Sequence, residues 1–422
     1  MLSIFKKLKY IIDNPCIIFV IIGLFFGSIM LFVTPPFEVP DERAHIMRAC
    51  EVSNGILYNK VPAEETKYDK YFTNFFKREK ENFHFASRNS AIMYIPSSLA
   101  IKIGSLFSKN SYFLFYFGRF LNLLAYIILC AFATKITPIY KYQFVYTALL
   151  PMALFMGMSY SADSYNNGFA FLFFAFIFKL IFEKKEISKK DFSVLTIFSI
   201  IGAFCKGLIY PSYLYIFIHK KQNQLPYLLI LIVMSTLISF FWISINHKNL
   251  NTNFDVINNP LFMVEKPLKT IDLFVNTIKT NFIFFIKSTI GLLGVLSIYL
   301  PKYLYSQYIF IFITMFFILG EKITKKIKLI SFFLFVIFYL TILYSQLIYW
   351  NNIETTIIEG FQGRYLISLI PFLFLAFPTF NLNISENFKN LFKLFIICFI
   401  ITSLYISCKV MYEYYYILGI RS

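Results

Sequence analysis

Long apolar runs alternate with short polar connections along the whole chain. Runs of roughly 18 to 22 residues with almost no charge recur, among them Cys16 to Thr34, Leu225 to Asn246 and Leu329 to Trp350. A helix rises about 1.5 Å per residue, so each such run crosses about 30 Å of hydrocarbon. The pattern predicts an all-α integral membrane protein, a polytopic bundle of about 11 transmembrane helices forming one membrane domain over residues 1–422.

The connections orient the bundle. Lys6, Lys7 and Lys9 precede the first run, which is too long for a signal peptide and ends in Thr34-Pro35-Pro36 instead of a small-residue cleavage site. The first helix is therefore expected to stay uncleaved, with its N-terminus in the cytoplasm. By the positive-inside rule, Lys135 to Tyr142, Glu183 to Lys190, His219 to Gln224, Glu321 to Lys328 and Asn381 to Asn390 are expected inside. Residues 35–90, 161–167, 247–303 and 351–363 are then external, and so is the C-terminus. Two stretches break the count. Ala91 to Phe107 is apolar but carries Pro96-Ser97-Ser98, and Asp191 to Ile218 is interrupted at Lys206-Gly207, which predicts two short helices meeting near the outer face.

Composition fixes the class. Hydrophobic residues make up 58% and charged ones 15%, against a soluble norm of about 25% charged. The excess of 40 Lys and Arg over 22 Asp and Glu is explained by cytoplasmic loops facing anionic lipid, so the partners are membrane lipids and not nucleic acid. Of the six cysteines only Cys50 falls in a polar stretch, and no Cys/His spacing makes a metal site. No internal repeat supports an inverted-repeat transporter.

The densest chemistry follows the first helix, in Pro35-Pro36-Phe37-Glu38-Val39-Pro40-Asp41-Glu42-Arg43-Ala44-His45. The prolines end the membrane helix, and Pro40 can start a new one running to Asn54 with Gly55 as its stop. Positions 41, 45 and 48 recur at i, i+4 and i+7, which puts Asp41, His45 and Arg48 on one face. Asp41 and Glu42 sit where the helix dipole favours an anion. An ionised carboxylate there can act as a general base or hold a divalent cation; the plain alternative is a pair of helix-start acids.

Smaller signals fall on the same side. Asp163 lies in a polar turn, where a helix N-cap explains it equally well. Lys206 occupies the break in an apolar pair, either functional or snorkelling to the surface. In Glu359-Gly360-Phe361-Gln362-Gly363-Arg364-Tyr365, Arg364 can bind phosphate through two parallel hydrogen bonds, or serve as an interfacial anchor beside an aromatic ring. Arg119 stands at membrane depth, where it pairs with an acid or faces a cavity.

The Pro35 to His45 stretch, Gly118-Arg119 with Asn122, Pro151-Met152 leading to Ser161 and Asp163, Gly291 to Pro301, and Gly360 to Tyr365 occur in an order that resembles a family of bacterial polytopic membrane proteins catalogued as domain of unknown function 2142. That family in turn resembles the GT-C glycosyltransferases, enzymes that take sugar from a polyprenyl-phosphate carrier outside the cytoplasmic membrane. The resemblance implies a GT-C-like bundle, inverting hexosyl transfer, a polyprenyl-phosphate-linked sugar donor, and a glycan or lipid acceptor. It implies catalytic Asp41, with Glu42 as the adjacent alternative. Arg364, with Lys206 or Arg119, would neutralise the departing phosphate, and Asp163 would orient the sugar or hold a metal. His45, Arg48, Gln362 and Tyr365 complete the expected substrate-binding set. The chain lacks the large soluble domain of many GT-C enzymes, so acceptor recognition falls to the loops 35–90 and 247–303. A glycan polymerase or ligase, a flippase for polyprenyl-linked glycans, and a noncatalytic assembly partner are the competing readings.

Overall fold

The computed structural model describes residues 13–58, 69–72, 85–183, 186–206, 209–218, 224–247, 257, 259–378 and 384–420. The basic start, Gly207, residues 219–223 and 381–383 of two expected inner loops, 184–185 of a third, and 59–68, 73–84 and 248–256 of the two long expected outer loops lie outside them.

Among the described residues the protein is almost entirely helical. The helices are α1 (Pro15–Val33), α2 (Glu42–Ser53), α3 (Ile95–Phe107), α4 (Ser111–Ile136), α5 (Lys141–Ala148), α6 (Pro151–Gly157), α7 (Ala162–Phe182), α8 (Lys189–Phe204), α9 (Leu225–His247), α10 (Pro267–Ile290), α11 (Lys302–Ile318), α12 (Lys325–Trp350), α13 (Ile370–Ala376) and α14 (Glu386–Tyr412). Short 3-10 segments at Ala91–Tyr94, Tyr210–Phe217 and Gly363–Leu369 lead into or out of them. Two residue pairs, Leu292 with Tyr299 and Leu293 with Ile298, make one small antiparallel hairpin.

Among the described residues six helices are long and apolar enough to cross a membrane: Pro15–Val33, Ser111–Ile136, Ala162–Phe182, Leu225–Ile245, Lys325–Trp350 and Glu386–Ile417. These six do not bear out the expected count of about 11, and several of the apolar runs behind that count are split. Pro151 lacks an amide hydrogen and divides the run from 141 to 157 into α5 and α6. Ala91 to Phe107 becomes a 3-10 turn followed by 13-residue α3, which at about 20 Å is too short to span. The break after α8 falls where the sequence places it, at Lys206. The expected outer loop 247–303 contains the 24-residue amphipathic α10. Cys50, expected in a polar loop, is buried in α2.

The core is built around one stretch. Every residue from Tyr142 to Ser164 is buried, so α5, α6 and the start of α7 form a central spine enclosed by the longer helices. α1 lies close against α4 because Gly23 and Gly27 stand one turn apart on its inner face. A Cβ at Gly27 would come 2.7 Å from Leu123, and one at Gly23 would press on Ile127. Small residues four apart allow this close approach where lipid gives helices no hydrophobic reason to associate. α1 ends at Thr34, whose hydroxyl donates to Met30 O at 2.7 Å, immediately before the paired prolines. The C-terminal end of α1 is thereby brought beside α2, the first turns of α4, and the N-terminus of α7.

Candidate functional site

Asp41 and Glu42 are consecutive, and the structure sends them in opposite directions. Asp41 is the residue before α2, with φ of 64° and ψ of 10°, a left-handed conformation uncommon outside glycine. An aspartate in that place commonly caps its own helix, but Asp41 makes no side-chain cap. Its Oδ2 accepts instead from Arg364 Nη2 at 3.0 Å, and 38% of the side chain remains exposed.

Arg364 is held in place from below. The preceding Gly363 lies flush on α10, where a Cβ would collide with the carbonyl oxygen of Phe285 and with Thr289, and its N–H donates to Ser288 Oγ at 2.8 Å. The arginine is 2% exposed. Its Nε lies 3.6 Å from Asp163 Oδ2, its Nη1 faces Met156 Sδ at 3.7 Å, and its guanidinium lies 5.3 Å from the centre of the Tyr365 ring.

Asp163 receives a second cation. Lys206 Nζ donates to its Oδ1 at 2.5 Å and also stands 5.7 Å from the Tyr365 ring. The capping role open to Asp163 in the sequence belongs to Ser161, whose hydroxyl accepts from the Asp163 amide at 3.1 Å, and this leaves the Asp163 carboxylate to the ion pairs. Lys206 itself has φ of 42° and is 29% exposed on its side chain. Two of the five non-glycine residues with positive φ among those described thus bear charges of this one cluster, and non-glycine residues in that conformation concentrate at functional sites.

Asp41, Asp163, Lys206, Arg364 and Tyr365 therefore form one cluster drawn from four separate parts of the chain. Its formal charges balance, with Asp41 and Lys206 partly exposed and Asp163 and Arg364 buried. His45 is among the electrostatic neighbours of Asp163, and its Nδ1 lies 2.7 Å from the hydroxyl of buried Tyr94, which also accepts from Asn89 Nδ2 at 2.9 Å. Half-buried Gln362 precedes Gly363, and its Oε1 has no hydrogen-bond partner among the described residues.

The other expected residues are committed elsewhere. Glu42 is 1% exposed and meets Arg119, with Nε to Oε1 at 2.9 Å and Nη2 to Oε2 at 2.6 Å. Its oxygens also accept from Phe37 N at 3.2 Å and Tyr160 N at 3.4 Å. Arg119 spends its remaining donors on Leu31 O, Thr34 O and Pro35 O and lies 4.5 Å from the Phe115 ring centre. This pair ties the end of α1 to α2, α4 and the turn before α7. Arg48, fully buried, binds Glu51 Oε2 at 2.7 Å and the carbonyls of Asn89, Ile56 and Leu57, closing the chain after α2. The i, i+4, i+7 spacing therefore does not bring Arg48 to Asp41, because Asp41 precedes the helix and has left-handed backbone angles.

Asp41 and Asp163 each already face a cation, and no group of three His, Cys, Asp or Glu side chains gathers among the described residues. Both carboxylates are thus occupied by protein cations. Met156, Tyr94, Asn166 and Asn167 belong to the surroundings of the cluster without having been legible as such. Only Asn166-Asn167, adjacent amides in an apolar helix, carried a signal that could have been followed.

No curated protein and no solved structure matches the chain. A family profile described as predicted membrane protein matches residues 59–373, beginning after the Pro35 to His45 stretch and including Arg119, Asp163, Lys206 and Arg364. The protein belongs to the membrane-protein family catalogued as domain of unknown function 2142.

Proposed function

We propose that the protein is a membrane glycosyltransferase, GT-C-like in fold, that moves a sugar from a polyprenyl-phosphate carrier to a cell-surface glycan or lipid acceptor at the external face of the cytoplasmic membrane. The observation that carries this reading is the meeting of a partly exposed carboxylate, Asp41, with Arg364, which shares Asp163 with a second cation, Lys206. A charge at such depth is costly unless it serves a substrate or a structural pair. Here the charges are shared between both uses.

In the proposed step the acceptor hydroxyl oxygen attacks the anomeric carbon from the face opposite the phosphate. Its proton passes to Asp41 as the new C–O bond forms, and the bond from the anomeric carbon to the phosphate oxygen breaks with its electron pair on the phosphate. Protonation cancels the charge that holds Arg364 at 3.0 Å, so the guanidinium becomes available to the phosphate as that group gains charge. Lys206, the more exposed cation, is suited to meet the anionic head first. Glu42, saturated by Arg119, positions Asp41 through the shared backbone and does not compete for the proton. An apolar cavity of about 220 Å³, bordered by Thr147, Thr289, Phe312 and Leu366, touches the 363–369 segment at Leu366 and is compatible with an amphiphilic ligand.

The test is mass spectrometry of surface glycans and polyprenyl-linked sugars from cells with the gene intact, deleted, or carrying Asp41→Asn. Loss of one sugar unit together with accumulation of its polyprenyl-phosphate monosaccharide, in both altered strains, is the expected result. An unchanged profile, with the variant folded in the membrane, rejects the assignment; a change in glycan ladder length instead identifies a polymerase.

A further inference from the structure

One turn deeper than Asp163, α7 carries Asn166 and Asn167, which are 7% and 2% exposed. Residues 163, 166 and 167 are related by i+3 and i+4 and share a helix face. The ion pairs of Asp163 with Lys206 and Arg364 show that this face looks toward the charged cluster. Along it, two polar atoms are buried without a hydrogen-bond partner among the described residues, Asn166 Oδ1 and Asn167 Nδ2. Gly168, the next residue, faces away against Leu129 and Tyr126 of α4.

Their identities narrow what meets them. One is an acceptor and the other a donor. A phosphate, which only accepts at neutral pH, would satisfy the donor alone. An apolar chain would satisfy neither. A hydroxyl both donates and accepts, so neighbouring hydroxyls of a polyol match the set. Buried polar groups in proteins are almost always paired, and two adjacent orphans beside the charged cluster point to a group absent from the chain itself.

We propose that Asn166 and Asn167 form a hydroxyl-reading subsite that recognises the polyhydroxylated part of a ligand whose anionic part rests on Lys206. The identification of that ligand as a sugar phosphate rests on the glycosyl-transfer reading above. The subsite selects which sugar the site accepts, since a position built to hydrogen-bond a hydroxyl discriminates strongly against ligands that lack it. Asp163, on the same helix face, holds Lys206 on Oδ1 and faces Arg364 Nε with Oδ2.

The test uses the full chain in lipid nanodiscs, with native mass spectrometry measuring affinity for polyprenyl phosphate and for its glucosyl, galactosyl and N-acetylglucosaminyl forms. Wild type is expected to bind one glycosylated form about tenfold tighter than the bare lipid, the discrimination given by one or two well-placed hydrogen bonds. Asn166→Leu and Asn167→Leu are expected to erase that preference while binding of the bare lipid stays unchanged. Asn166→Ser and Asn167→Ser give the same readout if the leucine variants do not fold. Wild type that binds bare and glycosylated lipids equally overturns the subsite and leaves a lipid-phosphate site standing. Wild type that binds none of them overturns the reading of the whole cluster. Variants that keep the wild-type preference assign the amides to packing and overturn the proposal.

Discussion

Glu42 with Arg119 and Asp41 with Arg364 are two acid–arginine pairs separated by a single peptide bond on the acidic side, and they differ in almost every physical respect. The Glu42 pair is sealed: both side chains are inaccessible, the contact is bidentate, and surrounding backbone groups occupy further lone pairs and donors. The Asp41 pair has one contact within hydrogen-bond distance, an exposed acid, a left-handed backbone at its base, and an arginine shared with a second carboxylate. A saturated pair has nothing left to offer a ligand. An unsaturated one that is partly open retains the capacity to exchange partners, which is what proton transfer and anion binding require.

The largest effect expected is on folding, from breaking the sealed pair. Glu42→Ala leaves the Arg119 guanidinium buried without its carboxylate, and removal of one partner of a buried pair costs about 3–5 kcal/mol. Purified yield and thermal melting in detergent should both collapse. Asp41→Asn should melt close to wild type, since a partly exposed pair contributes about 0–1 kcal/mol, while losing the proposed glycosyl transfer. Equal losses of stability in the two variants would erase the distinction between a structural and a chemical acid.

The middle effect concerns how Arg364 is aimed. Gly363→Ala forces a methyl group into the Phe285 carbonyl and Thr289, so α10 and the 363–369 segment must part. Overpacking of this kind costs about 1–3 kcal/mol. Because the shift occurs beside Arg364, activity should fall further than the melting temperature alone explains. A variant with lowered melting but full activity at low temperature would show that the cluster tolerates displacement of its arginine.

Much of this was legible in the chain, and the exceptions have a common cause. Hydrophobic runs reported the membrane class because a helix in lipid must be apolar over its length, and a charge marked the break at Lys206, but run length could not reveal that Pro151 divides a helix inside the bundle. The charged residues of the cluster stood out because charge in an apolar background is rare. Which acid pairs with which base was not readable, since Arg364 meets Asp41 across 323 positions and Arg119 meets Glu42 across 77. Asn166 and Asn167 were overlooked because an amide is inconspicuous in sequence, and only the missing partners in the folded chain give it meaning.

The smallest effect sharpens the comparison at the backbone. If Asp41 is held in its left-handed conformation by the sequence context and the Arg364 contact together, replacements that lack the contact should divide by their backbone tolerance alone. Asparagine and glycine enter that region readily, whereas alanine pays a Cβ clash of about 1–2 kcal/mol. Melting temperatures should therefore rank Asp41→Asn and Asp41→Gly above Asp41→Ala, although all three lack the carboxylate and none should transfer sugar. At Glu42, where α2 has begun and the backbone is helical, the order reverses for glycine: Glu42→Gly should be less stable than Glu42→Ala by about 1 kcal/mol. Opposite rankings at adjacent positions would locate the conformational turning point between the two acids. The same ranking at both would mean that the chain relaxes once Arg364 loses Asp41, and that the ion pair itself imposes the left-handed turn.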